Sequence, residues 1–253
     1  MPPDKALILA ADRNFIGSYR KLVEHCPGGA VREFGGVFAF ATGLPIGIFN
    51  GCIVASPVAA HDLANALDWI GAREVPYRLW IHEGLTGKLR PVALRRGMEE
   101  DPWLVPQMVL GPLPELPPPA PGVASRAVTN AESLIEHRAV YVEDGMSDDV
   151  VRRIFSDSFA ADPDVQLFTT SLEGRPVGTS LALRTGDVSG VYAVGTLPEV
   201  RRRGVGTAAT WAAVAGGRAW GCDTIVLQAS EMGFPIYEAM GFDTVVRYAL
   251  FRP

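Results

Sequence analysis

The chain has 253 residues, of which 48% are hydrophobic and 20% are charged, and its mean hydropathy is +0.15. These values are typical of a soluble globular protein with one or two domains, and they exclude a disordered or fibrous chain. The formal net charge of −5 disfavours nonspecific binding to nucleic acid or to an anionic membrane. No apolar run reaches the roughly 18 residues of a membrane span. The first residues also lack the pattern of a signal peptide, so we expect a cytoplasmic protein.

Cysteine and histidine are few and scattered. The three cysteines are far apart, no CxxC pattern occurs, and the four histidines do not cluster with them. We therefore expect neither a disulfide framework nor a metal site.

A proline-rich stretch interrupts the chain near its middle. Residues 111–122 read GPLPELPPPAPG, and prolines lack the amide donor that a helix interior or a paired strand needs. We predict a semi-rigid linker over residues 112–125, between an N-terminal domain (residues 1–111) and a C-terminal domain (residues 126–253). The part after residue 111 carries the whole net negative charge and contains no lysine.

The spacing of apolar residues predicts alternating helices and strands in both halves. In the first half, helices are predicted over residues 6–25, 59–70 and 87–96, and strands over residues 36–44, 46–55, 77–82 and 104–110. In the second half, helices are predicted over residues 148–159, 205–219 and 235–240, and strands over residues 165–171, 177–184, 191–196, 224–229 and 243–251. Hairpins come first and strand–helix–strand units follow, which indicates an α/β (α+β) fold.

The two halves share landmarks at similar spacing. In each half a strand ends just before a proline, Pro57 or Pro198. A helix, a strand and a short helix follow, and then a glycine with an apolar neighbour, at Gly97 or Gly241, before the last strand. The pattern favours an internal duplication of one domain.

The residues with chemical potential lie after the strand predicted over residues 191–196. Three arginines and a glycine-rich turn open the next helix, in the order Arg201, Arg202, Arg203, Gly204, Val205, Gly206 and Thr207. Glycines let the backbone approach a ligand closely, and the unpaired amides of a helix N-terminus point toward an anion. Arginines add charge-assisted hydrogen bonds to phosphate oxygens. This segment, residues 201–207, is called the anion loop below, and it predicts a site for a diphosphate.

A dinucleotide fingerprint is the competing interpretation of the same glycines. Residues 204–209 fit the pattern GxGxxA, in which the first glycine directly follows a strand. Here residues 197–203 intervene, and Asp223 precedes the next strand, whereas the acidic residue of the fingerprint closes it. The context therefore disfavours a dinucleotide site.

The second half resembles the GCN5-related N-acetyltransferases (GNAT) over about residues 126–253, most strongly over residues 190–242. Their acetyl-CoA loop, (Arg/Gln)-x-x-Gly-x-(Gly/Ala), is matched by Arg201, Gly204 and Gly206. A strand with the pattern VxxVxTxP precedes the loop, and Tyr-x-x-x-Gly-Phe follows from Tyr237. The resemblance implies two GNAT-like domains in tandem, each a mixed, mostly antiparallel central sheet flanked by helices. The first half has no glycine in the equivalent loop after Ser56, so we expect it to lack a CoA site.

The resemblance also implies roles for individual residues. The anion loop would bind the pyrophosphate of acetyl-CoA. The preceding strand would hydrogen-bond the pantetheine arm and hold the acetyl carbonyl near the backbone of Val194; the residues concerned are Ala193, Val194, Gly195 and Thr196. The strands over residues 191–196 and 224–229 would splay to admit the cofactor. Tyr237 would protonate the leaving thiolate as a general acid, or would only pack at the cofactor edge.

The implied reaction is direct transfer of the acetyl group of acetyl-CoA to a primary amine of a small molecule or peptide. Many family members carry a glutamate on the fourth strand as the base, but here Tyr192 is the only ionisable side chain of that strand. Glu231, Glu143, Asp144 or a water chain could replace it. A noncatalytic acyl-CoA-binding or regulatory module, and an acyltransferase with a different acyl-CoA donor, are the alternatives. Both a monomer and a homodimer are compatible with the sequence.

Overall fold

The computed structural model describes residues 4–253, which form two compact units. Unit 1 contains the chain up to Met108 together with Gln228–Pro235 and Thr244–Pro253. Unit 2 contains Val109–Leu227 and Ile236–Asp243. None of the described helices is long and apolar enough to cross a membrane.

Unit 1 is a mixed sheet flanked by helices. Its helices are α1 (Lys5–Glu24), α2 (Ala60–Gly71) and α3 (Glu83–Leu94). Its strands lie in the order β1 (Ala30–Phe34), β2 (Val37–Ala41), β3 (Asn50–Val54), β4 (Arg78–His82) and β12 (Asp243–Arg252), with the short β5 (Glu99–Glu100) paired to β12. Strands β3 and β4 are parallel, and the other neighbours are antiparallel.

Helix α1 illustrates how the sequence builds unit 1. The Asp4 side chain caps the helix by accepting a hydrogen bond from the amide of Ala6 at 2.9 Å. Ala11, Phe15 and Leu22 are buried and recur at helical spacing, so one face of the helix lies against the sheet. The ring of Phe15 makes edge-on contacts with aromatic rings of β4 and β12.

Unit 2 is also a mixed sheet flanked by helices. Its strands lie in the order β11 (Thr224–Gln228), β10 (Val188–Thr196), β9 (Arg175–Thr185), β8 (Val165–Leu172) and β7 (Val123–Ala127). Its helices are α4 (Ala131–Glu143), α5 (Asp148–Ile154), α6 (Asp157–Ala160) and α7 (Val205–Ala219). Strands β10 and β11 are parallel, and the remaining pairs are antiparallel. Two elements, β6 (Val105–Leu110) and α8 (Phe234–Ala239), begin in unit 1 and end in unit 2.

The units are not the contiguous domains that the sequence predicts over residues 1–111 and 126–253. Strand β12 pairs with β4, with Tyr248 opposite His82 and Phe251 opposite Leu79. Tyr248 and Phe251 are fully buried in the cores of unit 1. The last strand of the chain therefore completes unit 1, because its apolar side chains fill that core.

The predicted linker over residues 112–125 also differs from the structure. Its end, from Val123, belongs to β7 and pairs with β8. Residues 111–122 form neither helix nor strand, but they lie along α7: Arg218 donates a hydrogen bond to the carbonyl of Pro114, and Ala120 lies against Gly204. These two contacts place the proline segment against both ends of α7.

Most of the predicted elements are confirmed, with shifts of a few residues at their ends. The helix predicted over residues 205–219 is α7, with the same bounds. The helix predicted over residues 148–159 is divided into α5 and α6, because Phe155 leaves helical geometry and Ser156 caps a new turn. Strands β1, β5 and β7 and helix α4 were not predicted. Small residues let α7 pack closely on the sheet, since a Cβ at Gly217 would lie 2.7 Å from that of Ser189.

Candidate active site

Strands β10 and β11 separate partway along their length. Their parallel pairing covers three positions and ends where Gly190 lies opposite Val226. Strand β10 continues to Thr196 and stays paired with β9, with Gly195 opposite Thr179. Among the described residues, the edge of β10 beyond Gly190 that faces away from β9 has no strand partner. The expected splaying of the two strands is therefore present beyond Gly190.

A β-bulge interrupts β10 in the stretch beyond Gly190. The register with β9 shifts between Tyr192 and Gly195, and Ala193 has a positive φ of 53°. The Ala193 carbonyl accepts hydrogen bonds from the Tyr141 hydroxyl at 3.0 Å and from the Thr179 hydroxyl at 3.1 Å. Bulges of this kind occur next to active sites, where they redirect backbone groups.

The anion loop follows β10 and ends in the first turn of α7. Arg202 and Gly204 have positive φ values of 62° and 82°, and Gly204 is the N-cap residue. The first backbone hydrogen bond of the helix runs from the amide of Ala208 to the Gly204 carbonyl at 2.9 Å. Within residues 4–253, the amides of residues 202–207 have no hydrogen-bond acceptor. Six consecutive amides at the positive end of the helix dipole are therefore left without an acceptor, and such amides favour an anion as their partner.

The arginines of the anion loop are exposed around these amides. Arg201 donates a long hydrogen bond of 3.4 Å to the Thr196 carbonyl, at the end of β10. Arg203 lies 3.7 Å from a carboxylate oxygen of Glu173. Such exposed contacts are weak, so the guanidinium groups are available to a stronger anion.

Tyr237 lies beside the same end of α7. Its hydroxyl is hydrogen-bonded to the side chain of Thr210, which in turn donates to the Gly206 carbonyl at 2.9 Å. The ring makes an edge-on contact with Phe242 at 5.9 Å between centroids. Burial raises the pKa of the Tyr237 phenol to about 12, against a weaker opposing effect of Thr210. The phenol is therefore protonated throughout the physiological pH range.

Residues 124–234 match the family model of the acetyltransferase (GNAT) domain. This segment is a GNAT acetyltransferase domain. No curated protein sequence matches the chain.

Solved GNAT structures extend the likeness to both units. A GCN5-related N-acetyltransferase from Kribbella flavida superposes with a TM-score of 0.68 and 19% identity, covering 96% of this chain and 95% of that one. A GCN5-related N-acetyltransferase from Sphaerobacter thermophilus gives 0.63 and 16%, covering 86% and 76%. A tandem GNAT protein from the clavulanic acid biosynthesis pathway gives 0.62 and 12%, covering 90% and 84%. At these identities the likeness establishes the fold.

The structure of this GNAT domain places the sequence-predicted residues in two groups. The strand residues (Ala193, Val194, Gly195 and Thr196) lie in the bulge and at the end of β10, and the anion loop follows them. The two groups are close together, since a Cβ added to Gly206 would lie 3.4 Å from the Thr196 hydroxyl oxygen. Tyr237 reaches the loop through Thr210. The chain thus brings the predicted cofactor residues and the predicted acid to one end of α7.

The predicted alternatives for a base occupy exposed positions. Glu143 forms an ion pair with Arg175, and Asp144 is the C-cap residue of α4. Glu231 is exposed in unit 1. Tyr192 is partly buried and has an interaction partner. None of the three carboxylates is buried.

Sequence reasoning missed the side chains that support the site. Tyr141 and Thr179 hold the bulge, and Thr210 connects Tyr237 to the loop. Helix α4, which carries Tyr141, has a sequence signal in its capping box, where Asn130 and Ser133 exchange hydrogen bonds. The contact of Tyr141 with a strand more than 50 residues later has no local signal.

Proposed function

We propose that unit 2 transfers the acetyl group of acetyl-CoA to a primary amine of a small molecule or peptide. Two observations carry the proposal: the edge of β10 beyond Gly190 has no strand partner among the described residues, and the amides of residues 202–207 in the anion loop have no acceptor there. A cofactor with an extended amide-containing arm and a diphosphate complements both features.

The residues present fit acetyl-CoA. The amides of residues 202–207 and the exposed Arg201, Arg202 and Arg203 would hold the diphosphate. Gly206 leaves the space beside Thr196 open, since a side chain there would begin 3.4 Å from the hydroxyl oxygen. The unpaired edge of β10 would bind the pantetheine arm as an added strand does.

The chain supplies two hydrogen-bond donors to the proposed reaction. Bound acetyl-CoA supplies a thioester, which is an acyl group activated toward an amine lone pair. The Val194 amide would donate to the acetyl carbonyl, where negative charge develops. Tyr237 would donate to the leaving sulfur. Because the pKa of its phenol is about 12 and that of an ordinary thiol about 8.5, Tyr237 is suited to stabilise a developing thiolate with a hydrogen bond rather than to surrender its proton early.

The amine must lose a proton before it attacks, because a protonated amine has no lone pair. The candidate carboxylates are exposed, and Glu143 is engaged by Arg175. We infer that the proton leaves through water to the solvent. The lysine-free and acidic second half favours a cationic acceptor, such as a polyamine, an aminoglycoside-like compound, an amino acid or a protein N-terminus.

We propose that unit 1 has no acetyl-CoA site. Its equivalent strand β3 pairs with β4 at four of its five positions, up to Val54 opposite Ile81, so the two strands leave little unpaired edge. Helix α2 begins after Ala59 without a side-chain cap, and residues 55–60 contain no glycine. Unit 1 would then act as structural support.

A calorimetric titration with acetyl-CoA tests the site, and a panel of primary amines tests the reaction. We expect one acetyl-CoA per chain and release of CoA thiol with at least one amine. Gly206→Asp should weaken binding at least 100-fold, because a carboxylate would face the diphosphate. Gly206→Asn is the matched control of nearly equal size, and it should weaken binding far less.

Each other outcome has a definite meaning. Two acetyl-CoA molecules per chain would contradict the proposal for unit 1. Binding without turnover of any amine would favour a noncatalytic acyl-CoA module. Turnover only with a longer acyl-CoA would assign a different donor, and equal loss of affinity in both Gly206 variants would show that charge does not determine binding at the anion loop.

A further inference from the structure

The bulge carbonyl in β10 is saturated by two hydroxyl groups from different elements. Tyr141 on α4 donates to the Ala193 oxygen at 3.0 Å, and Thr179 on β9 donates to it at 3.1 Å. A carbonyl oxygen has two lone pairs, so both are used. One donor comes from a helix and the other from the neighbouring strand, and together they fix the direction in which this carbonyl points.

The direction of the Ala193 carbonyl determines that of the next amide. A trans peptide is planar, and its C=O and N–H bonds point in opposite directions. The N–H of Val194 belongs to the same peptide unit as the C=O of Ala193. Because the carbonyl points toward Thr179 and Tyr141, the Val194 amide points away from both. Val194 lies within the register shift and has no ladder partner opposite it on β9.

Tyr141 is held rigidly enough to impose this orientation. Its ring stacks on Phe155 at 4.6 Å between centroids and makes an edge-on contact with His137 at 5.5 Å. Arg138, the next residue after His137, donates to the Phe155 carbonyl at 2.8 Å and to Asp157 at 2.7 Å, which ties α4 to the segment that follows it. Burial raises the pKa of the Tyr141 phenol, so its hydroxyl remains a donor.

We propose that Tyr141, together with Thr179, is a positioning residue that aims the Val194 amide at the reacting carbonyl. This inference rests on the proposed acetyl transfer by unit 2. The two hydroxyl groups hold Ala193 in a left-handed conformation, with a φ of 53°, that a residue with a side chain disfavours. The hydroxyl groups act through the backbone and do not touch the substrate.

Tyr141→Phe and Thr179→Val test the inference, because each removes one hydroxyl and keeps the shape of the side chain. Removal of a whole oxyanion donor costs about 100-fold to 1,000-fold in kcat. A misaimed donor costs less, so we expect kcat to fall about 10-fold in each variant and further in the double variant, while KM and Kd for acetyl-CoA change less than 2-fold. Thr170→Val is the matched control: it removes a buried hydroxyl on β8 that is bonded to Ser125 at 2.8 Å, and kcat should not change.

An NMR measurement separates positioning from general loss of structure. In the wild-type protein, the Val194 amide proton should shift downfield between the CoA complex and the acetyl-CoA complex, because only the latter offers an acetyl carbonyl. The shift should fall by at least half in Tyr141→Phe and in Thr179→Val, and should persist in Thr170→Val. Circular dichroism verifies the fold of each variant, and Thr179→Val decides the matter where Tyr141→Phe is unfolded.

The outcomes for the wild type and the variants are distinct. A wild-type protein that does not bind acetyl-CoA overturns the proposed function and the inference with it. Wild-type turnover with unchanged kcat in both hydroxyl variants overturns the inference alone. Two other results would also overturn the inference alone. In the first, kcat of Tyr141→Phe and Thr179→Val falls only in proportion to their affinity for acetyl-CoA. In the second, kcat falls equally in Thr170→Val.

Discussion

Gly204→Ala is the substitution that most directly tests the geometry of the anion loop. Gly204 has a φ of 82°, and an alanine in this left-handed region costs about 1–2 kcal/mol. Its Cβ would also lie 2.8 Å from the Cβ of Ala120, whereas carbon atoms in good contact lie about 3.5–4.0 Å apart. Ala120 is flanked by Pro119 and Pro121, so the segment resists displacement. Relief of such overpacking costs typically about 1–3 kcal/mol more.

Gly221→Ala is a matched control at the other end of the same helix. Gly221 has a φ of 81°, and a Cβ there would meet nothing within 4 Å. It therefore carries the left-handed cost of about 1–2 kcal/mol without the clash and without contact with the anion loop. We expect Gly204→Ala to lower Tm roughly twice as much as Gly221→Ala, where each kcal/mol corresponds to about 2–4 °C in a protein of this size.

Thermal melts and calorimetric titration with acetyl-CoA measure the two effects separately. Gly204→Ala should raise Kd for acetyl-CoA at least 10-fold, because the amides that follow residue 204 change direction. Gly221→Ala should leave Kd within 2-fold of wild type. Equal values of Kd in the two variants would refute the argument that the conformation at Gly204 orients the binding amides. Equal Tm values would refute the proposed contact with Ala120.

Three further substitutions or truncations have definite expected results. Tyr237→Phe should lower kcat at least 10-fold with little change in Kd for acetyl-CoA; equal kcat would remove the hydroxyl from the chemistry. Burial raises the pKa of Asp12, which accepts hydrogen bonds from Tyr248 at 2.6 Å and from Gln107 at 2.7 Å, so the folded protein keeps a proton that the unfolded chain loses. The contribution of Asp12 to the free energy of unfolding should then fall as the pH rises from about 4 through the Asp12 pKa, and Asp12→Asn should remove that fall. Urea titrations at several pH values measure this free energy for both proteins. A difference between wild type and Asp12→Asn that does not change with pH would contradict the argument. A fragment of residues 1–111 should not fold, because it lacks β12 and its fully buried Tyr248; a cooperative melt by circular dichroism would show otherwise.

The anion loop and α7 could be predicted because their determinants are local. The glycine at position 204 permits a left-handed turn, and the small residues that follow permit a helix packed closely on a sheet. The loop motif and the Tyr-x-x-x-Gly-Phe element from Tyr237 indicated the acetyltransferase family from the sequence alone. The family match over residues 124–234 confirms that interpretation.

Domain boundaries and supporting residues could not be predicted in the same way. The proline content marked a break near residue 112. In the structure this segment lies against α7 within unit 2, and its position depends on contacts such as that of Ala120 with Gly204. The helix predicted over residues 148–159 has continuous apolar periodicity, yet it breaks at Phe155, whose carbonyl accepts from Arg138 on another helix. Such contacts join residues that are distant in the chain and leave no periodic pattern.

The sequence by itself indicated the acetyltransferase family, helix α7 and the candidate binding residues of the anion loop. It could do so because the backbone conformation and the charge of this segment depend on neighbouring residues. Only the tertiary structure decided that β12 completes unit 1, where Tyr248 and Phe251 are buried in the core. It also decided that Tyr141 and Thr179 meet at the Ala193 carbonyl. The physical reason is that strand pairing and hydrogen bonds across a sheet depend on burial and register between segments that are distant in the chain. The residues of either segment alone do not predict which segment it pairs with.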